Sequence, residues 1–177
     1  MANPLYDTLF GRHQGKTSPF IQLDDGQVIT HCAFVELAAQ YANLFGKIGL
    51  EPGDRVAVQI EKSPQSLAVY AACAQAGLVF LPLNTAYTTE EVSYFVHDSR
   101  ARLVLCDNKR LDALKPIAMA AGASLETMNA DGQGSFSKQA ASMPATFATI
   151  ARSTEDLAAF LYTSGTTGRS KGAMLTQ

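Results

Sequence analysis

The chain has 177 residues, enough for one good hydrophobic core, and its 47% hydrophobic content suits a globular domain rather than a disordered segment. The 14 Lys and Arg against 16 Asp and Glu leave a formal charge of -2, with no basic patch for nucleic acid and no charge block of the kind that forms a tail. The amino-terminal MANPLYDTLFGRH has no apolar core of signal-peptide type, and the longest apolar runs are too short to cross a bilayer, so a cytoplasmic protein without membrane contact is expected.

In chain order, Pro4 to Phe10 reads as a short opening helix. Phe20–Leu23 and Gln27–Thr30, joined by Asp24-Asp25-Gly26, read as a hairpin. Ahead of the hairpin, Gly15-Lys16-Thr17 in Gly11–Thr17 imitates the end of a Walker loop. Phe10 stands where the first glycine belongs, however, and no strand precedes it. Thr30 is placed to cap a long helix in which Phe34, Leu37, Ala38, Tyr41, Leu44 and Phe45 recur at helical spacing, with Gly49 at its end. Arg55–Ile60 is the first strand of parallel type. Ser63 and Pro64 open a helix through Ala76 as N-cap and first helical residue.

Leu78–Leu83 is the next apolar run, with Pro82 limiting ladder pairing near its end. Thr88 and Glu91 have capping-box spacing for a helix over 90–99. A third strand, Arg102–Asp107, and a third helix, Arg110–Ala121, follow. This alternation predicts an α/β domain, a mostly parallel sheet flanked by helices. From Asn129 to Thr149 no period is clear, and a loop with one short helix over 136–142 is expected. Cys32, Cys73 and Cys106 lie far apart in apolar stretches without ligand spacing, so buried reduced thiols are expected and no metal site. His13, His31 and His97 read as solvated or helix-end residues rather than bases, and the scattered tyrosines 6, 41, 70, 87 and 94 as packing.

The densest chemistry is near the end. After the apolar run LAAFLY at 157–162 come Thr163, Ser164, Gly165, Thr166, Thr167 and Gly168, then Arg169, Ser170, Lys171 and Gly172. Glycines let backbone N–H groups approach an anion, hydroxyls donate to phosphate oxygens, and Lys171 supplies the charge. The spacing is not that of a Walker loop. The competing reading is a glycine-rich hairpin turn with a solvated lysine. The hydroxyl cluster argues against it, because a hairpin turn calls for Gly or Asn at one or two positions and no such cluster.

Tyr162-Thr-Ser-Gly-Thr-Thr-Gly-Arg-Ser-Lys-Gly172 resembles the signature phosphate loop of the adenylate-forming enzymes, which include acyl-CoA synthetases, luciferases and peptide-synthetase adenylation domains. Ser170 departs from the proline usual there, which loosens the turn without removing a phosphate donor. Gly53–Val58, Gln75–Asn84 and Glu91–Ser99 resemble three further stretches of the same enzymes in the same order, although packing alone explains each. Leu78–Tyr87 and Arg169–Leu175 look most like the malonyl-CoA synthetases.

The resemblance implies the amino-terminal portion of the large domain of an adenylate-forming enzyme. It implies ATP, Mg2+ held through the phosphates, a small carboxylic acid, and CoA as co-substrate. Thr163, Ser164, Gly165, Thr166, Thr167, Gly168 and Lys171 would bind the β- and γ-phosphates, with Lys171 offsetting charge in catalysis alongside Thr167. Residues 1–154 are expected to form an α/β subdomain, and 155–177 the start of an incomplete second one. The adenine site, acyl pocket and mobile lid of the family would follow Gln177, so the isolated fragment is expected to be inactive and prone to self-association. An adenylation domain loading a carrier protein, or a phosphate-binding module without chemistry, are the alternatives.

Overall fold

In the computed structural model, residues 2–163 and 170–177 are described. Helix α1 (Pro4–Leu9) starts with proline in its first turn, where the missing N–H costs nothing, and the side chain of Asn3 accepts the Tyr6 N–H at 3.0 Å. The same buried Asn3 donates to the carbonyls of Ala74 and Ile150 at 2.8 and 3.0 Å, tying the start of the chain to two distant segments. The imitation Walker stretch, Gly15-Lys16-Thr17, follows a helix and a 3-10 turn, Gly11–His13, with no strand before it, which removes it as a phosphate loop. Strands β1 (Pro19–Gln22) and β2 (Val28–Thr30) form the expected antiparallel hairpin. Helix α2 (His31–Ile48) is capped by Thr30 and closes at Gly49, whose φ of 91° suits a residue without a Cβ.

The main sheet has six strands: β3 (Arg55–Gln59), β4 (Val79–Pro82), β5 (Leu103–Cys106), β6 (Ser124–Thr127), β7 (Leu157–Thr163) and β8 (Lys171–Thr176). Their spatial order is β6-β5-β3-β4-β7-β8, parallel throughout except for β8, which runs antiparallel to β7. β3 and β5 are buried almost along their whole length, as parallel strands covered on both faces must be. Helices α1, α2, α3 (Pro64–Gln75) and α6 (Ser135–Ala140) supply the apolar residues on one face. Helices α4 (Thr89–Ser99) and α5 (Leu111–Ala121) cover the other.

The caps foreseen at Ser63 and Thr88 form as well as that at Thr30. The Ser63 hydroxyl accepts the Ser66 N–H at 3.1 Å while Ser66 Oγ accepts the Ser63 N–H at 2.9 Å; Thr88 and Glu91 exchange the same reciprocal bonds. Replacing Ser63 by alanine is expected to cost about 1 kcal/mol and to lower the melting temperature by about 2–4 °C, read from a thermal melt.

Proline 82 acts through the side it faces. Val79 and Leu83 donate to Asp54 and Val58 on the β3 side, so alternation turns Phe80 and Pro82 towards β7. Register between β4 and β7 is the single pair Phe80↔Ala159, and it does not extend to Pro82, which has no N–H to give.

Two expectations need correction. Strand β6 has no counterpart in the sequence reading, because its four residues form a polar, half-buried edge strand with only Leu125 to mark a core face. Cys73 and Cys106 are buried as expected, but Cys32 is half-exposed and its thiol donates to Glu36 at 3.1 Å, because its position in the first turn of α2 turns it outward. Burial pushes the Cys106 thiol up to about 12 and raises Cys73 as well, so neither is a nucleophile.

The stretch after α6 is a strap rather than an element. Asn43 on α2 donates to the carbonyls of Pro144 and Thr146, and Ile150 N–H donates to Gln75, so its backbone is satisfied from α2 and α3.

Candidate functional site

Strands β7 and β8 pair antiparallel from Leu157↔Thr176 to Thr163↔Lys171. The hydroxyl- and glycine-rich stretch therefore does connect a hairpin, against the sequence expectation. The connection, 164–170, is long, so the turn chemistry of two-residue hairpins does not govern it. Ser164, Gly165, Thr166, Thr167 and Gly168 lie outside the described residues; of the expected phosphate-binding residues, Thr163 and Lys171 are described.

Those ends are brought together. Directly opposed residues of an antiparallel pair carry their side chains on the same face, about 4.5–5.5 Å apart at Cβ. Thr163 and Lys171 are such a pair, and both are exposed. Alternation puts Leu161 and Ala159 on the same face as Thr163, opposite Ala173 and Leu175. Leu161, Ala159 and Leu175 line an open cleft of about 1000 Å³ whose other walls are Ser63, Leu67 and Tyr70 of α3 and the ends of β3 and β4. Thr163 and Lys171 stand side by side on that same hairpin face, one same-face position beyond Leu161, and are not among the residues that line the cleft; a hydroxyl paired with an ammonium can take an anion.

The opposite face of the hairpin packs on α4. Phe160 and Tyr162 point there, with the Tyr162 ring 4.3 Å from that of Phe95. The Tyr162 hydroxyl donates to Asp98 Oδ2 at 2.5 Å, and the Tyr94 hydroxyl donates to the carbonyl of Ser170 at 3.1 Å. Burial, then the hydrogen bond and charge of Asp98, hold the Tyr162 phenol above its usual range, so it stays a donor. Gly172 faces Tyr162 across the pair, and a Cβ there would lie 2.5 Å from the Phe160 ring of the same hairpin, so a side chain at 172 would force that ring to move.

Sequence reasoning assigned Tyr94 to packing. It does pack, against Phe95 and Tyr162, but its hydroxyl also reaches the residue before Lys171. The histidines stay away from the hairpin: His13 stacks on His31 at 4.4 Å, and His97 Nδ1 bonds within its own helix to Ser93. Among the described residues no group of three or more His, Cys, Asp and Glu could hold a metal ion, and no helix is long and apolar enough to cross a membrane.

A family model described as "AMP-binding enzyme" matches residues 10–177. MatB from Rhodopseudomonas palustris is 45% identical over 99% of the chain, with TM-scores of 0.95 for its apo crystal structure and 0.94 for its ATP-bound one; the chain covers 35% of either. Crotonobetaine/carnitine–CoA ligase of Salmonella typhi is 29% identical over 97% of the chain, and tyrocidine synthase 2 of Brevibacillus parabrevis 33% identical over 79%. The chain spans 35% of the first of these relatives and 4% of the second.

Proposed function

The chain belongs to the AMP-binding enzyme family, and from that premise we propose that it is the amino-terminal portion of an ATP-dependent carboxylate–CoA ligase, with malonate as the carboxylate. The observation that carries this reading is the register pair Thr163↔Lys171, which sets a hydroxyl and an ammonium together at the two ends of the stretch that resembles the family's phosphate loop. The 45% identity with MatB, crystallised with ATP, supports the nucleotide. The likeness of Leu78–Tyr87 and Arg169–Leu175 to malonyl-CoA synthetases supports the substrate.

In this reading the Thr163 hydroxyl and the Lys171 ammonium hold the β- and γ-phosphates. Ser164, Thr166, Thr167 and the amides of Gly165 and Gly168 complete the grip. A carboxylate oxygen bonds to the α-phosphorus as the bond to pyrophosphate breaks, and negative charge moves onto the leaving group. Lys171, aided by Thr167, offsets that charge. Mg2+ arriving with the nucleotide would add Lewis-acid stabilisation of the same leaving group, while Thr163 and Lys171 hold its phosphates. The thiolate of CoA then attacks the acyl carbon and AMP leaves. Residues 155–177 open a further subdomain that supplies the adenine site, acyl pocket and lid in the complete protein. The 177-residue chain alone is inactive. It self-associates along β8, the sheet edge on which Met174 and Leu175 are exposed. We place the protein in the cytoplasm, acting on small molecules.

The 33% identity with tyrocidine synthase 2 favours a second reading, an adenylation domain that loads a carrier protein. Exchange of labelled pyrophosphate into ATP by the full-length protein separates the two. Exchange that depends on malonate, with thioester formed on CoA, is the expected result. Exchange driven by an amino acid and not by malonate establishes the second reading instead, and ATP binding without any carboxylate-dependent exchange leaves a binding module and refutes both.

A further inference from the structure

The hairpin that carries Thr163 and Lys171 takes its register with the rest of the sheet near its base, away from that pair. Its register with β4 is one pair, Phe80↔Ala159, well short of the Thr163 end, and β8 lies at the sheet edge. The far end is held from the side. Helix α4 reaches both strands within one residue of the functional pair: Asp98 accepts from Tyr162, the neighbour of Thr163, and Tyr94 donates to Ser170, the neighbour of Lys171. Residues 94 and 98 are one helical turn apart, so both lie on one face of α4, and Phe95 packs on Tyr162 between them. The two contacts differ in kind. One fixes a side chain of β7, and the other fixes the backbone just ahead of β8.

We propose that Tyr94 and Asp98 are positioning residues that fix the strand register and orientation of Lys171 and Thr163 against the nucleotide phosphates. This rests on the reading of Lys171 as the phosphate-neutralising group, and small displacements of such a group are expensive, since a 1 Å misplacement can cost about a hundredfold in rate. Losing one bracing hydrogen bond while keeping the ring releases part of that, about fivefold to tenfold in kcat.

The test measures kcat and KM for pyrophosphate exchange in the full-length protein with Tyr94→Phe, Asp98→Ala, Asp98→Asn, Lys171→Ala and the double variant Tyr94→Phe/Lys171→Ala. Tyr94→Phe and Asp98→Ala are expected to lower kcat while leaving the carboxylate KM in place. Asp98→Asn, whose amide oxygen can still accept from Tyr162, recovers most of the loss. In the Lys171→Ala background Tyr94→Phe has no further effect, because the group it positions is gone. Wild-type kcat in Tyr94→Phe beside a crippled Lys171→Ala overturns the inference alone, as do losses that multiply in the double variant. Wild-type kcat in Lys171→Ala overturns the underlying reading of Lys171 itself.

Discussion

Replacing Lys171 by alanine in the full-length protein is expected to slow ATP–pyrophosphate exchange by about a hundredfold or more, while the carboxylate KM changes by less than about threefold. The asymmetry follows from where charge moves. An ammonium bound equally to substrate and transition state would alter affinity, not rate; one that meets charge arriving on the leaving pyrophosphate acts in the barrier. Lys171 sits at the first position of β8, beside Thr163, and does not line the apolar cleft, which accords with the proposal that it serves the phosphates rather than the acyl chain. Lys171→Arg keeps the charge but spreads it over a planar fork, and is expected to recover only part of the rate. Equal kcat values for wild type and Lys171→Ala would remove this lysine from the chemistry.

Replacing Phe136 by alanine is expected to cost about 3–5 kcal/mol of stability, which at about 2–4 °C per kcal/mol for a chain of this size lowers the melting temperature by roughly 10 °C. Phe136 is fully buried, with its ring centroid 5.2 Å from that of Tyr41 and 5.5 Å from that of Phe45. Both partners belong to α2, a long helix whose packing against α3 builds the first face of the sheet. Removing the ring leaves a hole between α6 and α2 that neither helix can close without leaving its other contacts. A melt that shifts by less than about 2 °C would show that α6 can detach without consequence for the core.

The core elements were legible because their signals are local. Ser63-Pro64, Thr88 with Glu91, and the helical recurrence from Phe34 to Phe45 each act within a turn or two of chain, and the structure places caps and helices there. Strand β6 was not, since Ser124-Leu-Glu-Thr gains its order from β5 beside it rather than from its own composition. The strap over 141–156 is irregular, as the sequence predicts for its 143–149 part, yet carbonyls and N–H groups along it are spoken for by Asn43, Gln75 and Asn3, residues far away in sequence. The chemistry of Lys171 showed in the residue types around it. That Thr163 stands across from Lys171 did not, because hairpin register is a property of two strands, and no pattern in 94–98 announces that its side chains meet residues 162 and 170.

The bonds from α4 to the hairpin join residues 64 and 76 positions apart. Protein chains are made from the amino end, so α4 and the strands on either side of it leave the ribosome well before Tyr162 and Ser170 are added. The hairpin is then a late arrival that docks on a finished surface, and it supplies little of the nucleus from which the domain folds. A nascent chain stalled before residue 157 would already hold its dock, complete and waiting, with nothing yet moored to it.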